Sequence, residues 1–185
     1  MTNRAAFIVE GHMEQKFIKK ICPGRPVRRI ECNGESVSPE AMAKRIDTLC
    51  KTFGGRYFPI VVWVDLEKRK CDVNSFRASL YQELESLGVR DEVMIGVADR
   101  STEIWVLHDR EKVLEVFPEI SNPIPRQLEG KSGKGVMKRL LDTYHETTDG
   151  FDLLCACRAS VMIKSDSFKS FYDLLYHLEC PWLSR

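Results

Sequence analysis

The sequence predicts an α/β fold: a mostly parallel sheet of about four strands flanked by helices, followed by a helical C-terminal cover. Two observations carry that prediction. Short apolar runs alternate with helical periodicity up to residue 98, and the alternation then stops. One of those runs, Val61 to Val64, is apolar without interruption, as a central strand covered on both faces must be.

The elements follow in order. The first strand is AAFIV at 5–9, and EQKFIKKI after it repeats apolar residues at spacings of three and four. The second strand is VRRIEC at 27–32. The helix PEAMAKRIDTLCKTF opens at Ser38 and Pro39, a capping side chain and a residue pre-set for the first turn. The third strand is PIVVWVD at 59–65, followed by DVNSFRASLYQELESLG, which Asp72 can cap and Gly88 can end. The fourth is EVMIGVA at 92–98. Beyond it STEIWVLHDREKVLEVF reads as helical and SNPIPRQLEGKSGKG as a loop, with helices expected near 134–147, 150–162 and 166–178. No repeat or linker interrupts the chain, so residues 1–110 are expected to form the α/β core and 111–185 a helical extension packed on it.

Composition limits the partners. With 28 basic and 27 acidic side chains the net charge is +1, too little to hold nucleic acid by a global field, so an anionic partner must be held locally. Seven cysteines without a CxxC spacing fit a reducing compartment; Cys155 and Cys157 lack a second pair to complete a zinc site. The apolar N-terminal stretch is short and stops at Glu10, and no run reaches a membrane span. A soluble, cytoplasmic protein without membrane contact is expected.

In open parallel sheets ligands bind beyond the carboxyl ends of the strands. Acids gather there. Glu10 ends the first strand, with Glu14 one turn into the next helix; Asp65 ends the third, with Glu67 two residues on; Asp99 and Glu103 follow the fourth. A single acid in such a place can cap a helix, but converging carboxylates repel unless a cation joins them. Hard oxygen donors suit Mg²⁺ or Mn²⁺. If the extended conformation persists past Asp65, alternation aims Asp65 and Glu67 the same way.

The VEGxxE pattern at 9–14 and the acid pair at 65 and 67 resemble the Toprim fold, a Rossmann-like catalytic domain of topoisomerases, primases and OLD-family nucleases. The likeness covers residues 5 to about 109 and is nearest to the OLD-type domain and to small stand-alone bacterial Toprim-like proteins. It implies metal ligands at Glu10, Glu14, Asp65, Glu67 and Glu103, with Glu67 standing where aspartate is usual. It also implies two-metal phosphodiester cleavage of DNA or RNA, with Glu10, Asp65, Glu67 and Lys164 catalytic. An ABC-type ATPase partner and a role in anti-phage defence come with it; homo-oligomerisation stays open. Lys68, Arg69, Lys131 and Lys134 are candidates for contacting the nucleic-acid backbone.

GKSGKG at 130–135 lacks the spacing of a phosphate loop, because position 125 is Pro125. The four histidines share no ligand spacing, and Trp63, Trp105 and Trp182 read as packing residues. Two rival readings keep the same acids. One is a receiver-like phosphoacceptor domain using Glu10, Asp65 and Ser101 or Thr102; the other is a non-catalytic interaction subunit.

Overall fold

The computed structural model describes residues 5–32, 37–176 and 178, so the predicted packing role of Trp182 and the reading of His177 lie outside the described residues. The sheet has four strands, all parallel: β1 (Ala6–Val9), β2 (Val27–Arg29), β3 (Ile60–Asp65) and β4 (Val93–Ala98), in the order β2-β1-β3-β4. The predicted α/β class with a parallel sheet and a helical C-terminal region is what the chain forms.

Alternation along each strand divides the core in two. Ala6, Ile8, Ile60, Val62, Val64, Ile95 and Val97 face α2 (Pro39–Phe53) and α3 (Val73–Ser86), where Ile46, Phe76 and Leu80 are fully or almost fully buried. Phe7, Val9, Val61 and Trp63 face α1 (His12–Ile21) and the helices that follow β4. Helix α1 accompanies the step from β1 out to β2, while α2 and α3 accompany the steps back to β3 and β4 on the opposite face. Reversing direction and face together preserves the hand of each crossover.

Local signals set the boundaries. Ser38 accepts a hydrogen bond from Ala41 N at 3.2 Å, and Asp72 accepts from Asn74 N and Ser75 N at 2.9 and 3.0 Å. Gly88 lies just beyond α3 with φ 72°, a left-handed turn that favours glycine.

Where the sequence reads as helical from 101 to 117, the chain forms α4 (Glu103–Leu107) and α5 (Arg110–Val116), broken at Asp109. The Asp109 carboxylate accepts from Arg158 N at 2.9 Å and pairs with its guanidinium at 2.6 Å, a long-range tie that periodicity does not reveal. Next comes α6 (Gly133–Leu140), shorter than expected. A π turn (Glu146–Gly150) then leads into α7 (Phe151–Ala156), α8 (Ala159–Met162) and α9 (Asp166–Tyr176). Helix α9 covers β4: Phe171 lies where a side chain at Gly96 would stand, and packs with Trp63 and Trp105, the ring centroids 5.1 to 5.4 Å apart. Among the described residues no helix is long and apolar enough to cross a membrane, and Cys32, Cys50, Cys71 and Cys157 are free thiols.

Candidate functional site

Strand order reverses between β1 and β3, since β2 lies outside one and β4 outside the other. A doubly wound sheet opens a crevice at such a point, beyond the carboxyl ends of the two strands. Glu10 and Asp65 are the residues at those ends. Glu10 Oε2 accepts a hydrogen bond from Asp65 N at 2.8 Å, which ties the two strand ends together through one carboxylate.

Asp65 is nearly fully buried and held by a relay from the core. Trp63 Nε1 donates to Thr102 Oγ1 at 3.1 Å, and Thr102 donates from both Oγ1 and N to Asp65 Oδ1, each at 3.1 Å. That fixes Oδ1 and turns Oδ2 toward Lys134, whose Nζ lies 3.9 Å away. Glu67 reaches the same ammonium at 3.4 Å, but not by alternation: β3 ends at Asp65, and Glu67 has a left-handed φ of 53°. Its N–H bonds the Arg100 carbonyl at 2.8 Å, so a turn, not an extended strand, delivers this carboxylate.

Glu14 and Glu103 lie deeper. Both are almost fully buried, and neither Glu14 Oε2 nor Glu103 Oε2 has a hydrogen-bond partner. Glu103 Oε1 accepts from Tyr144 Oη at 3.2 Å. Gly11 makes room for Glu14, because a Cβ there would stand 2.5 Å from Glu14 Oε2. Gly133 plays the matching role at the start of α6, where a Cβ would stand 2.7 Å from Ile104 N. Its absence lets α6 abut α4 and places Lys134 beside the acids, 3.2 Å from Glu146 as well.

The electrostatics follow from this crowding. Burial pushes the Glu14 carboxyl up to about 7, with Glu103 and Glu146 adding to the rise. Burial raises Asp65 well above the usual range too, reinforced by Glu14 and Glu10 and opposed by Lys134. Glu10 and Glu103 shift upward for the same leading reason. Burial alone would lower the Lys134 ammonium, but Asp65, Glu103, Glu146 and Glu67 outweigh it and hold the proton on.

The acids fit a divalent cation in donor chemistry: oxygen only, repelling one another, with two buried oxygens left without partners. They are not arranged around one point. Among the described residues no three His, Cys, Asp or Glu side chains form a ready-made metal cage, and the cation in their midst is Lys134.

All five predicted metal ligands therefore share one neighbourhood, while the predicted basic residues scatter. Lys134 is inside the cluster. Arg69 is buried and donates to the carbonyls of Val37, Asp65 and Leu66 at 2.9 to 3.0 Å, clamping the turn after β3, with its guanidinium over the Phe76 ring. Lys68, Lys131 and Lys164 are exposed. Thr102, expected beside Asp65 only in the receiver-like reading, belongs to the site, and Tyr144 and Glu146 join it without having been expected there. Thr102 had a signal, its place after a strand end; Tyr144 and Glu146 come from the cover, which no local pattern links to the sheet. Comparison with family models, with curated proteins and with solved structures gives no match.

Proposed function

We propose that the protein is a Mg²⁺- or Mn²⁺-dependent nuclease of the Toprim kind that cleaves phosphodiester bonds in DNA or RNA. The observation that carries this is the gathering of Glu10, Glu14, Asp65, Glu67 and Glu103 at the strand-order reversal, with Glu14 Oε2 and Glu103 Oε2 buried and unpartnered. Glu10, Asp65 and Glu67 would hold a cation at the mouth, and Glu14 and Glu103 behind it. Bound divalent ions supply an activated water and charge neutralisation at the phosphate.

The chain's own groups do the rest. Thr102 and Trp63 keep Asp65 in one orientation before any ligand arrives. Lys134 holds the carboxylates together and carries a proton at Nζ that a phosphate oxygen can accept in a charge-assisted hydrogen bond. The Toprim resemblance extends the proposal to an effector subunit working with an ABC-type ATPase in anti-phage defence.

The test is cleavage of plasmid DNA and of transfer RNA by wild type and Asp65→Ala, with Mn²⁺ or with chelator. The expected result is metal-dependent cutting by wild type, and a loss in the variant beyond the roughly 100-fold that removal of a supporting residue costs. Cutting that survives Asp65→Ala or chelation would overturn the reading.

One observation favours a second reading. Asp65 stands between the Thr102 hydroxyl and the Lys134 ammonium, the neighbours a phosphoacceptor aspartate needs. Labelling of Asp65 by acetyl phosphate would support a receiver-like role, in which buried Glu14 and Glu103 have no task.

A further inference from the structure

Two concavities meet along β2, the edge strand of the sheet. One, of about 500 Å³, is lined by Glu10, Gly11, His12, Arg29, Arg45 and Glu146 among others, and so opens directly onto the carboxylates. The other, of about 570 Å³, is lined by Lys19, Arg25, Arg28 and Arg29 among others. Arg29 and Glu31 belong to both, which makes the two a continuous groove. Register fixes where Arg29 sits: it pairs with Val9, the residue before Glu10. Its guanidinium lies 2.5 Å from His12 Nε2 and 2.8 Å from Glu31.

The charge of this groove is unlike that of the chain as a whole. Leaving aside Glu10 and Glu146, which belong to the carboxylate site, the described lining offers Lys19, Arg25, Arg28, Arg29 and Arg45 against Glu31. Charged side chains on an edge strand also discourage edge-to-edge pairing. That explains Arg28 and Arg29 but not Lys19, which is on α1, or Arg45, which is on α2. Basic groups from two helices and a strand facing one groove are what a polyanion's backbone requires.

We propose that a nucleic-acid strand runs along this groove, with Arg29 and Arg45 holding the phosphate next to the one presented to the carboxylates and Lys19, Arg25 and Arg28 holding phosphates farther out. This assignment rests on the nuclease reading and gives it a direction of approach: over β2, not over the GKSGKG loop.

Fluorescence anisotropy of the full chain with labelled single-stranded DNA and RNA of one sequence, in chelator so that nothing is cut, tests the groove apart from the chemistry. Arg29→Glu with Arg45→Glu is expected to weaken binding at least about tenfold and to reduce the salt dependence by about 1.4, roughly 0.7 for each phosphate no longer neutralised. The paired lysine substitutions at 29 and 45 are expected to bind within about twofold of wild type, because charge is kept. Arg56→Glu with Arg90→Glu, ahead of β3 and β4 at the opposite end of the strands, makes the same change in net charge and controls for it. An unchanged Mn²⁺-induced rise in melting temperature in the reversed variant shows that the carboxylate site is intact.

Binding that is indifferent to the reversal, or equally weakened by the paired reversal at Arg56 and Arg90, overturns the groove, as does wild type that binds neither strand. Binding through the groove by a protein that cuts nothing with Mn²⁺ sustains the groove and overturns the nuclease. Cutting that persists unchanged in the reversed variant does the opposite.

Discussion

The two faces of the sheet are built from the same strands and treated differently. The face under α2 and α3 is dry: aliphatic strand residues meet Ile46, Leu80 and Phe76, and the buried charge packed there, Arg69, gives Nε and Nη1 to carbonyls while its Nη2 has no hydrogen-bond partner. The face under α1, α4 and α6 buries Glu14 and Glu103 with no partner for one oxygen of each. The first face buries one cation against carbonyls and an aromatic ring, whereas this one gathers carboxylates that raise one another's pKa. These carboxylates are the groups on which the proposed metal site rests.

Four substitutions probe that contrast. The largest effect on folding belongs to the dry face. Leu80→Ala should lower stability by about 2–5 kcal/mol in a denaturant titration, yet leave Mn²⁺ affinity alone. An equal loss of metal binding would mean that the faces are not separable.

On the acidic face Glu14 sets a pH dependence. Its carboxyl rises from an ordinary value of 4.5 to about 7 on folding. The folded chain keeps a proton that the unfolded chain has shed across that window, so stability should fall as pH climbs from 4.5 to about 7, by about 3 kcal/mol. Glu14→Gln should flatten that slope in melts across pH. Mn²⁺, which needs the ionised acid, should raise the melting temperature more at about pH 8 than at about pH 5, and chelator should abolish the difference.

Lys134→Met removes the internal cation. Because the ammonium is about a third exposed, a loss of roughly 2 kcal/mol is expected without metal, less than for a fully buried pair. Saturating Mn²⁺ should narrow the gap to wild type, since the ion relieves the same repulsion. A gap that widens would show that lysine and metal act together.

The smallest effect is expected at Gly11→Ala. The added methyl intrudes on Glu14 Oε2, so calorimetry should find Mn²⁺ binding about tenfold weaker, with little change in melting temperature. Unchanged affinity would remove Glu14 from the ligand set.

Periodicity and punctuation determined much of this protein. The four strands and the caps at Ser38 and Asp72 are legible in the chain, because each depends on neighbours within a few residues. The acids at strand ends were legible too, since every parallel strand delivers its last residue to the same edge of the sheet. What needed the tertiary structure was the partnering of those acids. Thr102 on Asp65, Tyr144 on Glu103 and Lys134 among four carboxylates are separated by 12 to 69 residues from the groups they touch or screen. Gly133 decides the last of those encounters by leaving space for the approach of α6 to Ile104. Space is not written in periodicity: an absent side chain has meaning only once a distant part of the chain has folded against it.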